Sequence, residues 1–168
     1  DTDDRAAAER MGEWTESGAF TGVRLVARTY RTRPDVWHKA AQLGLNVIVY
    51  DEPLLSTFGQ DIRAFASECP ETSLVLSHLG MPEMGKPPDF GAGGSIESLA
   101  ACPNVFVQVS GMHMFAAQPY RELVGLVKQF RTSFGRERML YGSNYPVMGS
   151  DETYGGEIKL IENGGLGI

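Results

Sequence analysis

Five short apolar runs recur along the chain, and longer stretches with a helical spacing of apolar residues separate them. Each run is rich in β-branched or aromatic residues and is bounded by Gly, Pro, Asn or Asp. Such runs are typical of strands that are buried on both faces of a sheet. The pattern therefore predicts strands over residues 22–27, 46–50, 73–77, 105–109 and 139–142.

The stretches between these runs have the spacing of amphipathic helices, and each ends at a glycine or a proline. They predict helices over 35–43, 54–69, 96–102 and 120–134, and a capped helix starts near residue 5. Strand, helix and strand in this rhythm require right-handed crossovers and a parallel sheet. The chain is thus predicted to be an α/β protein. The pattern alone leaves open an open doubly wound sheet or part of an eight-stranded barrel.

The composition makes several classes of function poor candidates. The net charge is -6 and the 15 Lys and Arg residues are scattered, so nucleic acid is a poor partner. No apolar run approaches the ~18 residues of a membrane span, and no leader pattern opens the sequence. Cys69 and Cys102 form no CxxC pair and are interpreted as buried fillers in a reducing compartment. We expect one cytoplasmic domain over residues 1–168.

Polar residues at the carboxyl ends of the strands are the candidates for chemistry, because ligands of parallel α/β proteins bind there. His78 is the leading one, since it ends a fully apolar strand and precedes Leu79 and Gly80, although a lone histidine is commonly structural. The other candidates in or after the strands are Arg24, Arg28, Tyr50, Asp51, His113 and Asn144.

Other polar positions are interpreted as structural. His38 lies within a predicted helix and is expected to be exposed there. Ser110 and Ser143 lack an obvious base partner and are interpreted as turn hydroxyls. The glycine-rich segment 91–94 follows a proline-containing loop and not a strand, so it predicts a flexible loop and not a phosphate-binding turn.

Five segments carry a family resemblance. They read FTGVRL at 20–25, GLNV at 44–47, LVLSHLGMP at 74–82, PNVFVQVSG at 103–111 and FGRERMLYGSNYPV at 134–147. In order and spacing they resemble the amidohydrolase-related family, particularly its branch of sugar-lactone and aromatic-lactone hydrolases. The resemblance extends over roughly residues 18–155.

This resemblance implies a partial (β/α)8 TIM barrel with outer helices, in which the five runs are the fourth to eighth strands. The family's first strand, which usually carries an HxH pair, has no counterpart. Family members place a histidine after the sixth strand and an aspartate after the eighth, and these positions hold His78 and Asn144. An amide cannot take a proton as a carboxylate does. Ser77 and Gln108 likewise stand where the family often has Asp and Lys.

The mechanism implied by the resemblance is attack of water on the carbonyl of a lactone or a related ester or amide. His78 would orient or polarise the carbonyl, and Asn144 would orient water or stabilise the oxyanion. Arg24 or Arg28 would hold a substrate carboxylate, although an internal ion pair explains Arg24 equally well. The pocket would be lined by Tyr50, by His113 and by Asp51, which is about as well explained as a helix cap. No cofactor is fixed, and zinc with His78 as a ligand is the candidate.

Alternatives remain open at this point. The missing HxH pair, Asn144 and Gln108 favour a truncated or non-catalytic barrel that serves as a binding or assembly module, and an open-sheet ligand-binding domain is a weaker alternative. Five strands of a barrel leave two unpaired edges, so we expect a homo-oligomer, a partner chain that completes the barrel, or aggregation. We also expect His78 and Asn144 to project from neighbouring strand ends into one cavity.

Overall fold

Five parallel strands form one sheet in their order along the chain. The structure is a computed structural model that describes residues 4, 6–52, 55–83, 95–147 and 153–166. The strands are β1 (Gly22–Val26), β2 (Asn46–Tyr50), β3 (Leu74–Leu76), β4 (Val105–Val109) and β5 (Met139–Tyr141). Each pairs in parallel with the next, so all their carboxyl ends lie at one edge of the sheet. The predicted strands and the parallel α/β architecture are confirmed.

Helices precede, connect and follow these strands. They are α1 (Ala7–Glu16), α2 (Pro34–Gln42), α3 (Gly59–Glu68), α4 (Ser95–Ser98), α5 (Val124–Phe134) and α6 (Tyr154–Glu162). Short 3-10 turns extend several of them, and these are Ala27–Arg31, Leu55–Phe58, His78–Gly80, Leu99–Ala101, Met112–Met114, Arg121–Leu123 and Arg136–Arg138. None of the described helices has the length and apolar character that crossing a bilayer requires.

The predicted helices differ from the observed ones mainly at their starts. The helix predicted from residue 120 begins as a 3-10 turn at Arg121, because Tyr120 has a φ of 59° that an α-helix excludes. The helix predicted near residue 5 has no side-chain cap at Ala6; Asp4 Oδ1 instead accepts the N–H of Ala6 at 2.9 Å. The glycine-rich segment 91–94 lies outside the described residues.

The two faces of the sheet differ in burial. One face packs against the helices and is fully buried, with the side chains of Val47, Val49, Leu74, Leu76, Val105 and Val107. On the other face Arg24, Ile48, Val75 and Phe106 share one row of the register and are only partly buried or exposed. The side chain of Arg24 therefore lies on the less buried face of the sheet.

Both outer strands leave an edge unpaired within the described part of the chain. An apolar groove of about 420 Å³ runs along β1 and is lined partly by Met11, Trp14 and Phe20, and a second groove of about 340 Å³ runs along β5. Trp14 and Phe20 are 54% and 53% exposed. These two large apolar residues therefore add exposed apolar surface beside the unpaired edge of β1.

These open edges lead to a prediction about association. Because unpaired strand edges and exposed apolar grooves favour pairing with another chain, we expect the isolated 168-residue chain to self-associate at micromolar concentration. Multi-angle light scattering across a concentration series measures this. A monodisperse monomer at every concentration would contradict the prediction, and the double variant Trp14→Lys/Phe20→Lys is expected to reduce association through the β1 edge.

Candidate active site at the carboxyl edge of the sheet

The chain leaves three adjacent strands through left-handed backbone conformations. After β3, the residues His78, Leu79, Gly80 and Met81 have φ values of 52°, 55°, 71° and 53°. Each L-residue in that region costs about 1–2 kcal/mol relative to the right-handed region. Strain of this kind is concentrated at functional sites, where the surrounding structure enforces it. The turn after β3 therefore marks the carboxyl edge as the candidate site.

The imidazole of His78 is held from β4. Ser110 Oγ lies 2.9 Å from His78 Nδ1 and also accepts the backbone N–H of His78 at 3.2 Å. Gly111, with a φ of 61°, lies directly against the ring, since a Cβ at that position would sit 2.7 Å from Nδ1. His78 is 7% exposed and Ser110 is 1% exposed. Two contacts from one neighbouring strand end thus fix the ring.

Arg24 and Tyr50 extend this site toward β1 and β2. The guanidinium carbon of Arg24 lies 4.1 Å from the centre of the Tyr50 ring, which is a cation–π contact. The Tyr50 ring in turn lies edge-on to His78, with centroids 6.0 Å apart. The Tyr50 hydroxyl donates to Glu52. The pKa of Tyr50 is raised to about 12, mainly by burial and also by this hydrogen bond. Arg24, Tyr50 and His78 therefore form one continuous cluster.

The electrostatic surroundings keep His78 neutral near pH 7. Burial is the main reason that its pKa lies below the ordinary value of about 6.5, and the nearby positive charge of Arg24 lowers that pKa further. A hydrogen bond with the Ser110 backbone and the negative charge of Glu52 raise this pKa, while His113 lowers it. A neutral imidazole can accept or donate one hydrogen bond at Nε2.

The lowered pKa of His78 predicts a pH dependence of stability. Below about pH 6.5 the unfolded chain binds a proton at this histidine before the folded chain does, so the free energy of unfolding should fall as the pH drops below that value. Urea unfolding between pH 5 and 8 measures the slope, and the slope should be smaller in His78→Asn. An equal slope in both proteins would show that His78 is not responsible.

Arg28 and Asp51 are engaged with each other. The fully buried Asp51 carboxylate accepts the Arg28 backbone N–H at 2.8 Å, Arg28 Nε at 2.9 Å, a further Arg28 guanidinium nitrogen and the Glu52 backbone N–H at 2.9 Å. These contacts give Asp51 an internal role that ties the end of β1 to the end of β2, and its predicted contact with a substrate stays a prediction.

His113 and Asn144 lie at the same edge but in different relations to His78. His113 lies in the 3-10 turn Met112–Met114 and is close enough to influence the pKa of His78. Asn144 follows β5, is half-buried and has a φ of 60°, a conformation that asparagine tolerates well. The expectation that His78 and Asn144 project from neighbouring strands is wrong, because β4 lies between β3 and β5.

Two contacts of the site were not predicted. Ser110 was interpreted as a turn hydroxyl, yet it is the side chain that holds His78. Gln108 lies two residues earlier, and its Oε1 is 3.2 Å from Ser110 Oγ. The available signal was two polar residues at alternate positions of an otherwise apolar strand, which places both on the same face. His38 is 39% exposed at its side chain and lies away from the site, 3.4 Å from Glu68.

The described side chains do not form a zinc site by themselves. Zinc sites use three or four protein ligands. No three His, Cys, Asp or Glu side chains within the described ranges cluster so that they could hold a metal ion. The candidate ligands near the carboxyl edge are the imidazoles of His78 and His113 and the amide of Asn144. Zinc binding by this chain stays a prediction.

Comparison with known proteins gives a consistent picture. The family model described as Amidohydrolase matches residues 1–163. The L-fucono-1,5-lactonase of Burkholderia multivorans is 26% identical over 92% of this chain and 58% of its own length. A crystal structure of an amidohydrolase from Burkholderia multivorans with bound zinc has a TM-score of 0.75 at 23% identity, covering 97% of this chain and 62% of that chain.

A third similar protein is a putative 2-pyrone-4,6-dicarboxylic acid hydrolase from Pseudomonas putida. Its structure has a TM-score of 0.72 at 20% identity and covers 96% of this chain and 61% of that chain. At these identities the two structures show the fold alone, and that fold is the TIM barrel of amidohydrolases, of which this chain forms a part. The chain spans about half the length of the curated relatives it matches, 43% of one and 58% of the other.

Proposed function

Because this chain belongs to the Amidohydrolase family, we propose that its carboxyl-edge site hydrolyses a lactone or a related ester or amide that carries a carboxylate. The observation that carries this proposal is the neutral His78 imidazole on a strained turn after β3. Water attack on a carbonyl needs a group that can take and return a proton near neutral pH, and a neutral histidine with a lowered pKa suits that task.

The carboxylate specificity rests on Arg24. Its guanidinium is stacked on Tyr50, and it forms no ion pair with any described carboxylate. An oriented arginine that has no carboxylate partner among the described residues is available for a charge-assisted pair with a substrate carboxylate. Arg28, by contrast, is already paired with Asp51. We therefore assign carboxylate binding to Arg24 and not to Arg28.

Asn144 has a supporting role in this proposal. Its side chain makes no hydrogen bond to another described residue, and it follows β5 at the same carboxyl edge at which His78 follows β3. An amide at this position can donate to a developing oxyanion without titrating. Asn144 would thus stabilise negative charge on the carbonyl oxygen, and His78 would manage the proton.

A substrate panel with two arginine variants tests the proposal. The purified chain is assayed with lactones and esters that differ only in whether they carry a carboxylate. Loss of one charge-assisted contact should raise KM for the carboxylate substrates roughly 10- to 100-fold in Arg24→Ala, with little effect on the uncharged ones. Arg136→Ala is the control, because Arg136 is exposed at the opposite edge, before β5. Equal effects on both substrate classes would overturn the assignment of Arg24.

A second candidate function is a binding module that retains the site without catalysis. The observation that favours it is the pair of amides, Gln108 and Asn144, at positions where a hydrolytic site would use charged groups. Isothermal titration with the hydrolysis-resistant carboxylate products distinguishes the two functions. Binding that depends on Arg24, with no hydrolysis of any substrate in the panel, would favour the module over the enzyme.

A further inference from the structure

A partly buried series of hydrogen bonds connects His78 through Ser110 to Gln108 near the end of β4. Ser110 Oγ lies between two partners, at 2.9 Å from His78 Nδ1 and at 3.2 Å from Gln108 Oε1. Ser110 is 1% exposed, so its hydroxyl cannot reach a substrate and can act only through its neighbours. His78 Nε2 makes no hydrogen bond to another described residue and is not among the fully buried atoms that lack a partner.

The number of available protons fixes which group donates and which accepts in each of these hydrogen bonds. The Ser110 hydroxyl has one proton to donate. If it donated to His78 Nδ1, Gln108 Oε1 would face a hydroxyl oxygen with no proton between them. If Nδ1–H donates to Ser110 and Ser110 donates to Gln108, each contact contains one proton. The first arrangement leaves two facing oxygens with no proton between them, whereas the second pairs every group, so the second arrangement is the stable one.

We infer that Ser110 and Gln108 are positioning residues that hold neutral His78 as the Nδ1–H tautomer, so that Nε2 presents a lone pair at the carboxyl edge of the sheet. Their catalytic importance rests on the function proposed above. Nε2 then takes a proton from water as the water oxygen bonds to the carbonyl carbon. The same proton passes to the leaving alkoxide or amine as the bond between the carbonyl carbon and the leaving group breaks.

Two glycines make room for this series of hydrogen bonds at either end. A Cβ at Gly142 would lie 2.6 Å from Gln108 Nε2, and a Cβ at Gly111 would lie 2.7 Å from His78 Nδ1. The amide of Gln108 is thus confined against β5, with its oxygen directed toward Ser110. With that oxygen toward Ser110, the Ser110 hydroxyl has an acceptor other than His78 Nδ1.

Nitrogen NMR of the histidine rings tests the tautomer without any assay of activity. The chain contains three histidines, His38, His78 and His113, so a long-range ¹H–¹⁵N correlation spectrum of ¹⁵N-histidine-labelled protein can be fully assigned with His38→Gln and His113→Gln. At a pH above the titration of His78, we expect a protonated, pyrrole-type Nδ1 and an unprotonated, pyridine-type Nε2. A pyrrole-type Nε2 in the wild-type chain would overturn the inference.

Variants of Gln108 test the origin of the tautomer. In Gln108→Leu the Ser110 proton loses its acceptor and turns to His78 Nδ1, so we expect the two ring nitrogens to exchange their signal types. Gln108→Glu keeps an acceptor oxygen and should retain the wild-type pattern. Ser143→Ala is the matched serine control and should leave His78 unchanged. If the His78 nitrogens kept their wild-type signal types in Gln108→Leu, another contact would set the tautomer, and the positioning role of Ser110 and Gln108 would be refuted.

Kinetic measurements separate this inference from the proposed function. If the chain hydrolyses a substrate, Gln108→Leu should lower kcat by roughly 10- to 100-fold with a smaller change in KM, and Gln108→Glu should restore kcat. If the protein shows the Nδ1–H tautomer but no hydrolytic activity, the positioning role of Ser110 and Gln108 is supported and the proposed function is refuted. If hydrolysis depends on His78 but Nε2 is the protonated nitrogen, the proposed function is supported and the positioning role is refuted.

Discussion

Replacement of His78 by asparagine should lower kcat/KM for lactone hydrolysis by about 10²- to 10⁴-fold, the usual contribution of a general acid–base group. Asparagine is the appropriate substitute because His78 has a φ of 52°, a conformation that asparagine tolerates better than alanine or glutamine. The variant therefore removes the imidazole while it preserves the turn after β3. Initial rates with the best substrate of the panel measure the loss.

The control for this experiment is His38→Gln. His38 lies on α2, is 39% exposed at its side chain and contacts Glu68 outside the site, so its replacement should change kcat/KM by less than about twofold. A circular dichroism spectrum equal to that of the wild type would show that His78→Asn still folds. A folded His78→Asn chain with wild-type kcat/KM would refute the central role of the imidazole.

Alanine in place of Gly111 should be strongly destabilising and should also displace His78. The left-handed φ of 61° costs an L-residue about 1–2 kcal/mol. The added Cβ would also lie 2.7 Å from His78 Nδ1 and 3.1 Å from Met114 Sδ, and relief of such overpacking costs roughly a further 1–3 kcal/mol. Urea unfolding measures the sum, and the rate of hydrolysis reports the displacement of the ring.

Gly18 provides a matched control for the backbone strain alone. Its φ is 69°, and a Cβ there would have no atom within 4 Å. Gly18→Ala should therefore lose only the conformational part, about 1–2 kcal/mol, and should retain full activity. If the two variants were equally stable and equally active, the close approach of Gly111 to His78 would have no consequence for the site.

The sheet could be predicted from the sequence because each strand is a short apolar run between residues that break regular structure. The run 105–109 was predicted with its observed bounds, Val105–Val109, and the run 73–77 lost only its two ends, leaving Leu74–Leu76. Sequential parallel order also implies that β3 and β5 are not neighbours. That implication was available before the structure, and it removes the expectation that His78 and Asn144 follow adjacent strands.

The contacts of the site could be predicted less well, because they depend on register and on backbone conformation. The pairing of Leu76 with Val107 brings the end of β4 beside His78, and no local pattern announces that register. The left-handed turn over residues 78–81 has no clear sequence signal either, because Gly80 is the one glycine among these four residues. Pattern and resemblance indicated the edge of the sheet, while the Ser110 contact required coordinates.

The proposed role of His78 is that of the neutral base at the carboxyl edge, and a comparison of two pKa values tests this role most directly. The pH profile of kcat/KM gives the pKa of the group that must be unprotonated for hydrolysis, and ¹⁵N NMR gives the pKa of His78 in the same protein. We expect the two pKa values to coincide below about 6.5, with activity increasing as the pH rises through them. A kinetic pKa that differs from the titration of His78, or a rate independent of pH across that titration, would contradict it.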